Sequence, residues 1–120
     1  METIFERYGG FTNVSRIVSS FYDRVLDSPI MNPYFIGVDM KRLIDHQTKF
    51  ISFLMGGPAS YSDEQLRTIH QRMNIEQEAL DEMIELLTET LEDFDFSDPD
   101  IELVQKEILR RAPLILKQDD

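Results

Sequence analysis

The chain contains no cysteine. Disulfides, thiolate metal ligands and a cysteine nucleophile are therefore excluded, and the composition suits a reducing compartment without requiring one. No apolar stretch approaches the length of a membrane span. The start, "METIFERYGG", lacks the basic residues and apolar run of a signal peptide. The expectation is a soluble, cytoplasmic protein with no membrane partner. Nothing alternates with period two for long enough to make a strand, and repeats and low-complexity segments are missing. Basic residues run short in one half. Residues 76–120 hold fifteen Asp and Glu against four Lys and Arg, which is the whole net charge of −11, while residues 1–75 balance. That sign argues against nucleic acid as a partner. The acidic half reads as solvated helix faces, with a basic docking partner as the alternative.

What is present is a globular composition: 120 residues, 42% of them hydrophobic, enough for one domain over 1–120 with one core. The pattern is helical throughout, so the expected fold class is all-α. A brief helix over Glu2 to Tyr8 stops at Gly9-Gly10. The next runs from Thr12 to Leu26, with Val14, Ile17, Val18, Phe21, Tyr22, Val25 and Leu26 as one stripe at helical spacing. "DSPIMNPYF" carries two prolines and supports only short turns before Phe35. A helix then starts near Asp39 and ends at Gly56-Gly57-Pro58. "SDEQ" at 62–65 has the pattern of a capping box and opens a helix through His70. Asn74 is the expected cap of a helix that buries Leu80, Met83, Ile84, Leu87 and Leu91. In "SDPDIELV" a polar cap precedes Pro99 at the first helical position, and Pro113 should kink this last helix on its way to Lys117.

Three of these helices carry a polar residue where a core wants hydrocarbon. Tyr22 lies on the buried stripe of the second helix. Gln47 falls within the stripe of Leu43, Phe50 and Leu54. His70 sits in "LRTIHQRM" with Leu66, Ile69 and Met73 around it. A buried polar group without a partner costs about 1–3 kcal/mol, so each must find one. Local backbone or water partners would serve each singly, but three together suggest convergence on something in the core. Imidazole is the commonest protein ligand of haem iron. The only two histidines, His46 and His70, lie on helices flanking the Gly56-Gly57 loop, so those helices can face each other. Zinc would need one or two more ligands, which neither Cys nor a local His-x-x-x-His pair supplies. Acid–base catalysis by His70 has no accompanying nucleophile or Gly-rich loop.

The ordered set "YGG" at 8–10, "FYDRVL" at 21–26, "NPYFIGVDM" at 32–40, "HQTKFISFLMGGP" at 46–58 and "IHQRMNI" at 69–75 resembles the group I truncated haemoglobins. The match covers residues 1 to about 92 in order, and the last helix adds "APLIL". The resemblance implies a two-over-two helical sandwich around a haem. It implies His70 as the proximal iron ligand, Phe35 packed on the porphyrin, and Tyr22 and Gln47 as hydrogen-bond donors to the bound ligand. Leu43, Phe50, Leu54, Ile69 and Met73 would wall the pocket. Lys41, Arg42 and Arg67 are offered for the propionates by charge alone. His46 matches a position that in some members binds iron from the distal side and in others lies near propionates or solvent, and both readings stand.

Leucine at 43 replaces a residue that is polar in some relatives, which leaves Tyr22 and Gln47 as the main donors. No third histidine stands near the C-terminus to attach haem covalently, so the implied cofactor is haem b, held non-covalently. The implied partners are oxygen, nitric oxide and carbon monoxide, with an external electron donor, and the protein is expected to be a monomer. The implied reaction is conversion of nitric oxide to nitrate, a nitric oxide dioxygenase activity. The alternatives are a bis-histidine redox or gas-sensing protein with His46 as sixth ligand, and a haem-free interaction module. Tyr22, Gln47, Phe35 and His70 together speak against the last, because a haem-free core would gain from apolar residues there.

Overall fold

Two adjacent glycines decide how the chain begins. Gly9 and Gly10 take φ of +98° and +71°, a region closed to most side chains, and the turn they make separates α1 (Ile4–Arg7) from α2 (Gly10–Asp27). A computed structural model describes residues 2–59, 62–71 and 74–116. Thr3 caps α1 by accepting from the Glu6 amide at 3.1 Å. In α2 the residues Val14, Ile17, Val18, Phe21, Tyr22 and Val25 are buried as their spacing requires. Leu26 departs from the expected stripe: it is 41% exposed, at the edge of the face. The proline-rich segment contains one 3-10 turn, Asn32–Phe35.

Asp39 caps α3 (Met40–Leu54), its Oδ1 accepting from the Arg42 amide at 3.3 Å. That helix ends where Gly56 takes φ +83° and Gly57 leaves no room for a side chain. A Cβ on Gly57 would stand 2.7 Å from the Phe5 ring and 2.9 Å from the Ser52 carbonyl. The N-terminal turn is thus plugged into the end of α3, and the Phe5 amide donates to the Met55 carbonyl at 3.0 Å. The Ser62 region opens α4 (Asp63–Gln71) as expected.

Beyond shifts of one or two residues at the ends of α1 and α2, two boundaries differ from the sequence reading. Asn74 does not cap α5 (Gln77–Asp93); it takes φ +51° in the preceding turn, which asparagine tolerates, and Glu76 is the capping residue. The last helix is not one kinked rod. α6 (Asp98–Arg110) stops, Arg111 leaves helical geometry at φ −97° and ψ 3°, and α7 (Ala112–Ile115) follows. Pro113 has no amide hydrogen and its ring crowds the carbonyl four residues back, so the break falls just before it.

α2 packs on both α3 and α5, and α5 on α6, which sets two helix pairs one over the other. This is the two-over-two arrangement of the sequence expectation. Among the described residues there is no strand, only an isolated parallel bridge between Ile75 and Leu116. The N-terminal turn is also clamped to α6. Tyr8 stacks on Phe96 at 3.7 Å, and Asp100 Oδ2 accepts from the Tyr8 hydroxyl (2.6 Å), Arg7 (2.8 Å) and the Ser97 hydroxyl (2.9 Å). Those donors favour the ionised form and hold the Asp100 carboxyl below the usual carboxylate range, the Tyr8 hydrogen bond contributing most.

Candidate haem-binding cavity

Amphipathic helices that cross instead of lying flat leave space between their apolar faces. Here the space is a cavity of about 860 Å³, counting the part open to solvent. Much of its wall comes from stripes already described. α2 contributes Val18, Phe21, Tyr22 and Val25; α3 contributes Leu43, Gln47, Phe50 and Ile51; Met31 and Phe35 come from the turn region. His70 enters from α4, and Leu80, Met83 and Leu87 line it from α5. The lining is overwhelmingly hydrocarbon, with Tyr22, Gln47 and His70 as its polar members.

His70 carries the chemistry. Its Nδ1 lies 2.8 Å from the Leu66 carbonyl, one helical turn back on α4. A carbonyl only accepts, so Nδ1 bears the proton and the lone pair is left on Nε2. Burial disfavours the imidazolium and pushes His70 below the ordinary histidine range, against the smaller opposing effect of the Leu66 hydrogen bond. A neutral imidazole with its tautomer and ring plane fixed by a carbonyl is what a metal ligand requires.

Tyr22 is buried, with its ring edge-on to Phe21 at 4.9 Å and to Phe35 at 5.7 Å. Rings on two sides restrict its χ angles and so fix where the hydroxyl points. Gln47 is half-buried. The large apolar lining, one neutral imidazole and two polar side chains fit a haem better than a hydrated ion. Among the described residues no three of His, Cys, Asp and Glu stand close enough to hold a metal by themselves.

The cavity brings together Tyr22, Phe35, Leu43, Gln47, Phe50 and His70, six of the residues singled out from sequence. Leu54 is buried in the core but does not line the cavity. His46 and Arg67 are exposed, as are Lys41 and Arg42, and none lines it. The step from Gln47 to His46 turns about 100° around the helix, which carries the imidazole from the cavity side to solvent. Met73 and the Ile69 side chain lie outside the described residues. Sequence reasoning missed Ile51, Ile75, Ile108 and Ile115 and assigned Leu80 and Leu87 of the α5 stripe only to the core. Leu80, Met83 and Leu87 at helical spacing were visible as a buried face; that this face borders a cavity depends on long-range packing.

Residues 3–114 match the family model of the bacterial-like globins. The chain belongs to the globins of that family. A group 1 truncated haemoglobin of Tetrahymena pyriformis is 32% identical over 97 residues, 81% of this chain and 80% of that relative. One from Synechocystis is 34% identical over 73 residues, 61% of this chain and 59% of the relative. The crystal structure of the Tetrahymena pyriformis truncated haemoglobin in its Fe(III) form superposes with a TM-score of 0.88 at 30% identity, covering 98% of this chain and all of that one. A Synechococcus 2/2 haemoglobin shares the fold with a TM-score of 0.84 at 24% identity, over 95% of this chain and 98% of that one. The globin's cofactor is haem, and its ligands are diatomic gases such as oxygen. Among the described residues, no helix of this globin is long and apolar enough to cross a membrane.

Proposed function

We propose that this globin holds haem b non-covalently through His70 Nε2, binds oxygen, nitric oxide and carbon monoxide, and converts nitric oxide to nitrate with an external reductant. The observation that carries the reading is the single cavity shared by a tautomer-fixed His70 and the polar side chains of Tyr22 and Gln47. Haem bound there supplies a redox-active iron with a coordination position for a diatomic gas. Everything else is done by the chain. His70 offers a neutral nitrogen from a fixed direction, and the apolar walls exclude water, which strengthens every dipole acting inside. Tyr22 and Gln47 are donors placed before negative charge develops on the ligand, and preorganised donors cost no rearrangement when it does.

Phe35, Leu43 and Phe50 give the flat faces that a porphyrin needs. Non-covalent attachment is supported by the histidine count, since His46 and His70 are the only two in the chain. No flavin or nicotinamide motif was found in the sequence, so the reductant is placed outside the chain. The acidic residues 76–120 suit a basic electron donor, and a monomer in the cytoplasm is the simplest form consistent with the composition.

A redox or sensing role with His46 as sixth ligand requires its imidazole to leave solvent and enter the cavity. Its exposed position on α3 favours the open-site reading. Visible absorption spectra of the haem-supplied protein, ferric and then dithionite-reduced, beside a His46→Leu variant, decide between them. Five-coordinate, high-spin reduced iron in both is the expected result. A low-spin reduced form that becomes high-spin only in the variant would assign His46 to the iron and overturn the open-site reading. Absence of any haem band would overturn the haem reading entirely.

A further inference from the structure

The helix that bears His70 is seated on a small and unusual support. α4 packs most extensively on α7, a single turn that starts after the α6 break, and its C-terminal flank is joined to the end of α7 by the Ile75–Leu116 bridge. Ile115, on the same turn, lines the cavity. The imidazole cannot swing freely on α4, because Nδ1 is tied to Leu66 of its own helix. The position of His70 is therefore inherited from α4, and that of α4 from α7.

The residue at the start of α7 is Arg111. It is only 9% exposed and stands at the break between α6 and α7. Its Nη1 donates to the Glu107 carbonyl at 2.9 Å and to Glu107 Oε2 at 2.8 Å, and its guanidinium lies 5.6 Å from the centre of the Phe53 ring on α3. A helix break needs no buried cation, and burying one is unfavourable unless it is paired, as this one is with Glu107. Through Nη1 the side chain is fixed to the last turn of α6, while its guanidinium faces the Phe53 ring on α3, the helix that carries Gln47.

We infer that Arg111 is a positioning residue for the proximal ligand: through α7 and α4 it sets where His70 stands relative to the haem plane. The inference rests on the haem reading of His70. The test is resonance Raman spectroscopy of the haem-loaded, ferrous, ligand-free protein, comparing wild type with Arg111→Met and Arg111→Lys. Methionine keeps the apolar stem and removes the fork; lysine keeps the charge without the plane. The expected result is a shifted and broadened iron–histidine stretching band in Arg111→Met, with Arg111→Lys in between. The stretching frequency of bound carbon monoxide, which reports on Tyr22 and Gln47, should stay at its wild-type value.

A lowered melting temperature with an unchanged iron–histidine band would overturn the inference, since a merely structural role predicts that pattern. If Arg111→Met does not fold, Phe53→Leu takes away the ring that faces the guanidinium and should shift the band in the same direction by less; an unmoved band there overturns the inference equally. Wild type that binds haem without any iron–histidine band would overturn the assignment of His70 itself, and this inference with it.

Discussion

Replacing Tyr22 with phenylalanine removes the hydroxyl from the cavity wall and keeps the ring. The ring of Tyr22 is buried against Phe21 and Phe35, at 4.9 and 5.7 Å, and phenylalanine fills the same space, so the packing of the cavity wall should be kept. Tyr22 is the polar residue that α2 contributes to the cavity lining, and its hydroxyl is the donor proposed to steady a polarised diatomic ligand. A hydrogen bond to a charged acceptor contributes about 1.5–3 kcal/mol net, and each 1.4 kcal/mol is a tenfold change. Oxygen should therefore leave Tyr22→Phe roughly 10- to 150-fold faster than wild type, by the same arithmetic. Carbon monoxide carries far less charge when bound, and its release should change little. Stopped-flow displacement of oxygen by carbon monoxide measures the first rate, and displacement of carbon monoxide by nitric oxide the second. Equal acceleration of both gases would mean that the hydroxyl acts by packing. An unchanged oxygen rate would refute the donor role and shift it to Gln47 alone.

Other consequences are open to measurement. Gly57→Ala would place a Cβ 2.7 Å from the Phe5 ring, and the forced shift of the N-terminal plug should destabilise the protein by about 1–3 kcal/mol, read as a fall in melting temperature. Asp100→Asn keeps the shape of the clamp and removes its charge. The folded-state pKa of Asp100 is depressed, so its stabilising contribution is present above the unfolded carboxylate value and lost as pH falls through the lower folded value. Urea melts from neutral pH down to about pH 3 should show wild type losing more stability with acid than the variant, whose neutral-pH stability is lower from the start. Leu91→Ala, at a fully buried position on α5, should cost about 2–5 kcal/mol in the same assay. Acidified butanone should extract the haem from the loaded protein completely, as a non-covalent cofactor requires; retained colour would contradict it.

Local chemistry made much of the architecture legible. Gly9-Gly10, Asp39, the Ser62 region and Ser97 each mark a helix boundary because their backbone or side-chain chemistry acts within a few residues. Asn74 misled because asparagine serves two purposes, as a cap and as a residue that tolerates positive φ, and the turn used the second. Leu26 continued a periodic stripe that the neighbouring helices do not extend to cover. In the cavity, Tyr22, Gln47 and His70 stood out because they interrupt apolar faces. Ile108 and Ile115 did not, since an isoleucine beside a cavity looks in sequence like any other core isoleucine. The break at Arg111 was signalled by Pro113, but its use as a seat for α4 depends on a contact between segments far apart in the chain.

The most direct test of the account is a haem titration of the haem-free protein, wild type and His70→Gly, followed in the Soret region with and without free imidazole. Wild type should give a saturating 1:1 transition with a five-coordinate reduced form. The glycine variant should lose that form and regain it when imidazole fills the vacated space. A His70→Gly protein that binds haem with the wild-type spectrum in the absence of imidazole would contradict the assignment of His70 and the mechanism built on it.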